Sequence, residues 1–325
     1  ISTATDTVVA TVPVGGFPAL MDITPDGLFV YIANADDNSV SVIATATNTL
    51  TATIPVGVTP QAVAITPNGA RAYVLDGLSD EVSVIDTATN TVVATIPGIP
   101  GPIFIAITPD GAFAYVTSIA ADAITVIDTA TNTVFATIPG GGRLPTGVDI
   151  TPNGSFAYVA TVNGTVLVID TATNTVVATV SIGGGLAGVT LTSDGAFAYV
   201  ANQARDAVSV IDTATNTVTA SIPVGDAPFS IALTPFPQDP LAALIDQVEA
   251  LIAGGTLTQN QGDGLIDKLN QVITKLDAGQ TSAACNQLSS FNSQVSAYVS
   301  SGALTQAQGQ TLIDAVNAIK TDLGC

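Results

Sequence analysis

The 325-residue chain contains no histidine and no tryptophan, and it has only one methionine and two cysteines. Without histidine, the chain cannot form Ser-His-Asp or Cys-His catalytic groups, nor a zinc, copper or haem site with imidazole ligands. Both cysteines, Cys285 and Cys325, lie near the C-terminal end, which also excludes a cysteine-rich metal cluster. The chemistry that remains is acid–base chemistry by aspartate, or binding of a hard cation by oxygen ligands.

Basic residues are also scarce. The sequence has 6 lysines and arginines against 26 acidic residues, a net charge of −20. This excess argues against nucleic acid or an anionic membrane as a partner, and it is typical of surfaces that promote solubility or attract cations. No apolar run approaches the roughly twenty residues that a membrane helix needs, and no signal-peptide pattern is present. We therefore expect a soluble, mature chain without a membrane span.

The strongest pattern that is present is an internal repeat. The motif Val-Ile-Asp-Thr-Ala-Thr-Asn-Thr places its isoleucine at Ile85, Ile127, Ile169 and Ile211, so successive copies are 42 residues apart. A degraded copy occupies residues 42–49, and a truncated copy occupies residues 1–7. A fixed period of about forty residues is typical of stacked or radially repeated units.

Each repeat predicts four short β-strands. Runs of β-branched residues alternate with turn motifs such as Thr-Pro-Asn-Gly, and in one unit the runs span residues 62–66, 71–75, 82–85 and 92–96. Asparagine and aspartate suit such turns because their side chains bond nearby backbone and asparagine tolerates a positive φ. Four antiparallel strands in about forty residues predict one blade of a β-propeller.

The repeat also resembles a known family. Thr-Pro-Asp-Gly, Ala-Tyr-Val-Ala-Asn at 198–202 and Val-Ser-Val-Ile-Asp-Thr-Ala-Thr-Asn-Thr-Val are similar to the YVTN β-propeller repeats of archaeal and bacterial surface proteins. The resemblance covers about residues 1–236. It implies a mainly β propeller domain and an exported, cell-surface protein, and it implies no particular chemistry.

The repeat predicts about six blades. Full blades are expected at 17–57, 58–98, 99–142, 143–185 and 186–225, and a sixth unit begins at Asp226 with a first strand at 229–235. Residues 7–13 read as a fourth strand, so we predict a last blade shared between the chain ends, without its second and third strands. Either residues that precede Ile1 in the native protein fill this blade, or another subunit donates strands and the protein polymerises head to tail.

Residues 237–325 predict a second, helical domain, because the apolar period changes there from 2 to 3.6. Segments 255–262 and 302–309 align, and each contains a capping box. The pattern predicts two helical hairpins in a small four-helix bundle. It resembles the FIMAH domain of secreted and wall-associated proteins over about residues 240–325. In an exported chain, Cys285 and Cys325 are expected to form a disulfide; two free buried thiols are the alternative.

Two sets of acidic residues are candidate sites. Asp22 and Asp149 occupy equivalent first-strand positions in blades one and four, and they are expected to border a central channel, too far apart for a carboxylate dyad. The loops opposite the invariant turns carry acids that are candidates for a hard cation such as calcium: Asp36, Asp37, Asp80, Glu81 and Asp122. Because no loop matches a calcium-loop pattern, solvated turn acids are the alternative.

From these features we expect an extracellular or cell-surface scaffold for binding or structure, not an enzyme, with no catalytic residue and no required cofactor. The propeller would display variable acidic loops to a protein or a cell-surface polymer, and the helical module would serve attachment or assembly. One alternative is a self-assembling filament subunit. Another is a propeller enzyme such as a lactonase or a carbohydrate-active enzyme. The sequence argues against an enzyme because it has no histidine, only two glutamates and no convergent set of polar groups.

Overall fold

The structure is a computed structural model that describes residues 7–233, 240–277 and 280–325. The chain divides into two compact units, residues 1–233 and residues 234–325. The first unit is β-sheet and the second is helical. Each is described by itself below.

The described part of the first unit contains five four-stranded antiparallel sheets, each built from four consecutive strands and numbered here as blades 1 to 5. Blade 1 comprises β1 (Pro18–Ile23), β2 (Phe29–Asn34), β3 (Ser39–Ala44) and β4 (Thr49–Pro55). Blade 2 comprises β5 (Pro60–Ile65), β6 (Arg71–Asp76), β7 (Glu81–Asp86) and β8 (Thr91–Pro97). Blade 3 comprises β9 (Pro102–Ile107), β10 (Phe113–Ser118), β11 (Ala123–Asp128) and β12 (Thr133–Pro139). Blade 4 comprises β13 (Pro145–Ile150), β14 (Phe156–Thr161), β15 (Thr165–Asp170) and β16 (Thr175–Ser181). Blade 5 comprises β17 (Leu186–Leu191), β18 (Phe197–Asn202), β19 (Ala207–Asp212) and β20 (Thr217–Pro223).

The two recurring turn motifs explain why the chain reverses where it does. In blade 2, the Thr66 hydroxyl donates to Asn68 Oδ1 at 2.8 Å, and Gly69 follows with a φ of 72°. In the second motif, the Thr89 amide donates to Asp86 Oδ1 at 3.0 Å, and Asn90 takes the left-handed conformation with a φ of 54°. Glycine and asparagine adopt this conformation at low cost, so each motif fixes a turn.

Successive blades pack face to face. The first strands contact one another in the order β1, β5, β9, β13 and β17. The hydrophobic cores lie between neighbouring blades; for example, Ile54 of blade 1 packs in one cluster with Val63 and Val74 of blade 2. The fourth strands form the exposed outer edge.

The prediction of six blades is wrong, because the described residues form five complete sheets. Residues 229–233 lie beside β17, where the Gly188 amide donates to the Phe229 carbonyl at 2.9 Å, but they form no strand of a sheet. The physical reason is that a first and a fourth strand are two strand spacings of about 4.8 Å each too far apart to pair. Residues 1–6, 234 and 235 of the predicted shared blade lie outside the described residues.

The second unit contains four helices: α1 (Pro240–Ala253), α2 (Gln259–Asp277), α3 (Thr281–Ser300) and α4 (Gln306–Asp322). All four contribute to one hydrophobic core, in which Leu244, Leu269, Phe291 and Val316 are fully buried. Thr305 and Gln308 form the capping box of α4. Cys285 and Cys325 are joined in a disulfide with a Cα–Cα distance of 5.9 Å. None of the described helices is long and apolar enough to cross a membrane.

Candidate functional site

Asp22 and Asp149 lie on the wall of the channel that the first strands surround, and each bonds to backbone amides on two strands. Asp22 Oδ1 accepts from the Ile23 amide and Oδ2 from the Ile65 amide of the next blade, both at 2.8 Å. Asp149 likewise accepts from the amides of Ile150 and Leu191 at 2.8 Å. Each carboxylate therefore connects the first strand of its own blade to that of the next.

Burial raises the pKa of the Asp149 carboxyl to about 6, against the lowering effect of its two amide donors. The pKa of Asp22 is also raised by burial. Both side chains border one cavity of about 410 Å³. Their hydrogen-bond partners are backbone amides, so their geometry supports a role in joining strands.

A second, larger cavity of about 550 Å³ forms the mouth of the same channel. Its wall includes the second residue of every first strand, together with Phe229, which holds the same position in the repeat: Ala19, Gln61, Ile103, Thr146, Ala187 and Phe229. The Phe104 and Phe229 rings are 5.8 Å apart between centroids. None of the lining residues is titratable. Its size lies within the range of small-molecule sites, and it can accept an apolar or aromatic group.

This mouth opens on the face that carries the variable loops. Ile119, Val162 and Gln203, which line it, lie in the loops between the second and third strands of blades 3, 4 and 5. Phe17, in the segment before β1, also lines the mouth. Its side chain is 69% exposed, and its backbone lies in the left-handed region with a φ of 48°. The equivalent residues Thr59, Leu144 and Ala227 share this left-handed backbone, so it belongs to the repeat, and the exposed aromatic ring is what distinguishes Phe17.

This apolar mouth was not predicted from the sequence, because the candidate residues identified in the loops were acidic. The residue in the sequence that could have indicated the mouth is Phe17. At its position in the repeat the other units have smaller side chains: Thr59, Gly101, Leu144, Gly185 and Ala227. A large aromatic residue at a loop position where the rest of the repeat has small ones indicates a role outside the shared scaffold.

Three of the five candidate cation ligands accept hydrogen bonds that join loops. The Asp37 carboxylate accepts from the Gly16 amide, and Asp80 accepts from the Gly101 amide, both at 2.8 Å. Asp122 accepts from the amide of Leu144 at 2.8 Å and from that of Gly142. The first two contacts each join positions 21 residues apart, as does that between the Ala227 amide and Asp206. These acids fasten each loop to the adjoining link between blades.

The structure does not bring the five candidate acids together. Throughout the part of the chain that the structure describes, no three or more histidine, cysteine, aspartate or glutamate side chains form a group that could hold a metal ion. Asp37, Asp80 and Asp122 thus join loops to the neighbouring links between blades, and a hard-cation role for any of the five acids stays a sequence-based prediction.

Family models match both units of the chain. A YNCE-like beta-propeller matches residues 3–120, and a FIMAH domain matches residues 241–321. The chain combines a YNCE-like β-propeller region with a FIMAH domain. The resemblances inferred from the repeat motifs and from the helical segment are thereby confirmed. A cytochrome D1 heme domain also matches residues 107–246, which overlap the propeller and the start of the helical unit.

Among solved structures, the chain is similar to Kuenenia stuttgartiensis hydrazine synthase, with 24% sequence identity and a TM-score of 0.65. The match covers 72% of this chain and 82% of that one. At this identity the similarity shows the fold alone. No curated protein matches the chain.

The match to a heme domain raises the question of whether this propeller can hold a haem. Haem iron in proteins is ligated by histidine, cysteine thiolate, methionine or tyrosine. The sequence has no histidine, and both cysteines form the disulfide. The sole methionine, Met21, is 62% exposed on blade 1. Four of the blade tyrosines donate their hydroxyls to asparagines. Histidine and a free cysteine thiolate, two of the four ligand types, are therefore missing, and the match alone assigns no haem to this chain.

Proposed function

We propose that the chain is an extracellular or cell-surface binding scaffold. The mouth of the propeller channel binds an apolar or aromatic group of a protein or a cell-surface polymer, and the FIMAH domain serves attachment or assembly. The observation that carries this proposal is the apolar mouth of about 550 Å³, which is built on a rigid repeat and opens among the loops that differ between blades.

The polar groups at the mouth support binding over catalysis. Gln61, Thr146 and Gln203 are uncharged, and they can orient a ligand without exchanging protons at neutral pH. The two channel aspartates already accept hydrogen bonds from backbone amides of neighbouring strands. General acid–base catalysis would need titratable groups that converge on one substrate position.

Three features support an extracellular location. The Cys285–Cys325 disulfide is typical of oxidising compartments. The net charge of −20 suits a salty milieu, in which a strongly charged surface keeps a chain soluble. The FIMAH domain resembles modules of secreted and wall-associated proteins. Proteinase treatment of intact native cells tests the location: we expect loss of the protein without lysis, and protection until lysis would overturn it.

The binding site is tested with N-phenyl-1-naphthylamine, an uncharged aromatic probe whose fluorescence rises in apolar surroundings. We expect saturable binding to the full chain at one site. Phe17→Gly removes the exposed ring and suits the left-handed backbone, so we expect it to weaken binding at least fivefold without loss of stability. Its matched control is Leu78→Ser, because Leu78 is 74% exposed on a loop and does not line the mouth.

Equal probe affinity in the wild type and in Phe17→Gly would contradict the assignment of the site. A loss of probe binding in Leu78→Ser as large as in Phe17→Gly would contradict it too, because the binding would then follow general surface hydrophobicity.

A further inference from the structure

We propose that the gap between blade 5 and blade 1 is the docking site of a β-hairpin that has the sequence pattern of this chain's own second and third strands. The hairpin would complete a sixth blade, between residues 229–233 and residues 8–13. The proposal rests on the flanks of the gap, and it is independent of the ligand site at the channel mouth.

The flank on blade 5 exposes an apolar residue that every other blade buries. Ile222 on the fourth strand is 45% exposed. Its equivalents are covered by the following blade and are at most 5% exposed: Ile54, Ile96, Ile138 and Val180. Because the same position is buried wherever a next blade exists, the exposure of Ile222 shows that no blade built from the described residues covers this face.

The flank on blade 1 shows the matching exposure on its first strand. Met21 is 62% exposed and Ile23 is 50% exposed. In blades 2, 4 and 5 the residues at these two positions are packed under the preceding blade and are at most 8% exposed: Val63, Ile65, Val148, Ile150, Val189 and Leu191. Burying these apolar side chains would stabilise a blade placed in the gap.

A polar contact between blades is also incomplete on both sides of the gap. In each blade that is followed by another, the second-strand tyrosine donates its hydroxyl to the turn asparagine of the next blade at 2.6–2.8 Å: Tyr31 to Asn90, Tyr73 to Asn132, Tyr115 to Asn174 and Tyr158 to Asn216. In the part of the chain that the structure describes, neither Tyr199 of blade 5 nor Asn48 of blade 1 makes this contact. The missing partner of Asn48 is a tyrosine hydroxyl on a second strand.

Residues 229–233 already hold the position that a first strand would take beside blade 5. Beside β17, the Phe229 carbonyl accepts from the Gly188 amide and the Ile231 carbonyl accepts from the Thr190 hydroxyl, both at 2.9 Å. Phe229 also lines the channel mouth with its five equivalents from blades 1 to 5. Residues 8–13 repeat the fourth-strand sequence, and Val8 and Val9 are exposed. Among the described residues, no pair of strands lies between these two segments.

These requirements define the occupant. It needs two antiparallel strands with alternating apolar residues, and a tyrosine at the third position of the first strand, as in Phe-Ala-Tyr-Val. The five hairpins of this pattern in the chain are all used in blades 1 to 5. Strand addition of this kind draws affinity from backbone hydrogen bonds and specificity from the pockets on both flanks.

The experiment uses the full chain and a fluorescein-labelled synthetic peptide that copies residues 112–128, the hairpin of blade 3. We expect saturable one-to-one binding in fluorescence anisotropy, and no binding of a peptide with the same composition in scrambled order. Met21→Lys and Ile222→Lys change exposed residues, so both variants should fold, and each should abolish peptide binding.

A double-mutant cycle tests the tyrosine contact. Replacing the peptide's tyrosine with phenylalanine should weaken binding about fivefold, which is the effect of one hydrogen bond. Asn48→Gly keeps the left-handed turn, where φ is 51°, and should weaken the tyrosine peptide by the same factor while leaving the phenylalanine peptide unchanged. Asn90→Gly is the matched control, because Asn90 is paired within the chain, and it should leave peptide affinity unchanged.

Absence of saturable binding would overturn the proposal, as would equal affinity of the Met21→Lys variant for the peptide. Light scattering of the chain, without and with excess peptide, tests whether a second copy fills the gap instead. If the chain forms concentration-dependent oligomers that excess peptide does not disperse, a second copy fills the gap and the hairpin is not the occupant.

Discussion

At the residue scale, the repeat allows a tyrosine that makes a contact between blades to be compared with an equivalent tyrosine that does not. The Tyr115 hydroxyl donates to Asn174 at 2.6 Å, whereas Tyr199 lies next to the gap without an asparagine partner in the described part of the chain. Both tyrosines hold the same position on a second strand. Their substitution therefore separates the contribution of the hydrogen bond from that of the ring.

We expect Tyr115→Phe to lower the free energy of unfolding of the propeller by about 1 kcal/mol, because it removes the hydrogen bond and leaves Asn174 without its donor. Tyr199→Phe should change it by less than about 0.5 kcal/mol, because no such bond is lost. Urea unfolding measures both. Equal losses in the two variants would show that the hydroxyl contact does not stabilise the blade interface.

Asp149 predicts a dependence of stability on pH. Its pKa rises from 3.8 to about 6 in the folded chain, so between these values the folded state keeps a proton that the unfolded state has lost. The contribution of Asp149 to the free energy of unfolding therefore falls by up to about 3 kcal/mol as the pH rises from about 4 to about 6. Above about pH 6 this contribution no longer changes with pH. In Asp149→Asn this component should be absent.

The control for this prediction is Asp128→Asn. Hydrogen bonds from Thr131 lower the pKa of Asp128, so its contribution to stability is present above pH 4 and is lost only in more acidic solution. The difference between the wild type and Asp128→Asn should be flat from pH 5 to 7. A flat difference for Asp149→Asn over the same interval would contradict the burial of its carboxyl.

At the element scale, the strands and turns could be predicted from the sequence because each is set by local residues. The runs expected at 62–66, 71–75, 82–85 and 92–96 correspond to β5–β8 within a few residues. The blade count could not be predicted in the same way. Residues 229–233 have a first-strand sequence, but a strand forms a sheet only when its neighbour is present. The sequence pattern of one strand does not show whether its neighbouring strand is present.

The helical unit also requires glycine at two helix positions, which helix propensity alone would not predict. Gly262 in α2 and Gly309 in α4 are equivalent in the two aligned segments, and both allow close helix packing. A Cβ on Gly309 would lie 2.2 Å from Val299 Cγ2, and one on Gly262 would lie 2.1 Å from Ile252 Cδ1. Glycine normally weakens a helix, so these two residues are retained for packing against the preceding helix.

Gly309→Ala should therefore destabilise the helical unit by about 1–3 kcal/mol, since Val299 has little rotamer freedom with which to move aside. Gly264→Ala is the matched control. The nearest atom to a Cβ there is 3.7 Å away, so alanine should stabilise α2 by about 0.5–1 kcal/mol. Thermal unfolding followed by circular dichroism at 222 nm measures both. Stabilisation by Gly309→Ala would refute the close-packing explanation.

At the scale of the whole molecule, composition and repeats predicted the two kinds of structure, while the candidate site depended on packing that no local pattern encodes. The channel position of Asp22 and Asp149 followed from their place in the repeat. The mouth of the channel did not, because it combines residues from all five blades with Phe229. Phe17 and Phe104 are far apart in sequence, and only the curvature of the blades brings them to one cavity.

The claim that the channel mouth is a site for an apolar or aromatic group can be tested most directly by soaking crystals of the full chain with bromobenzene and collecting data at the bromine absorption edge. We expect the strongest anomalous peak to lie in the mouth, in contact with Phe17, Phe104 and Phe229. Bromine peaks elsewhere on the chain, with none in an accessible mouth, would contradict it.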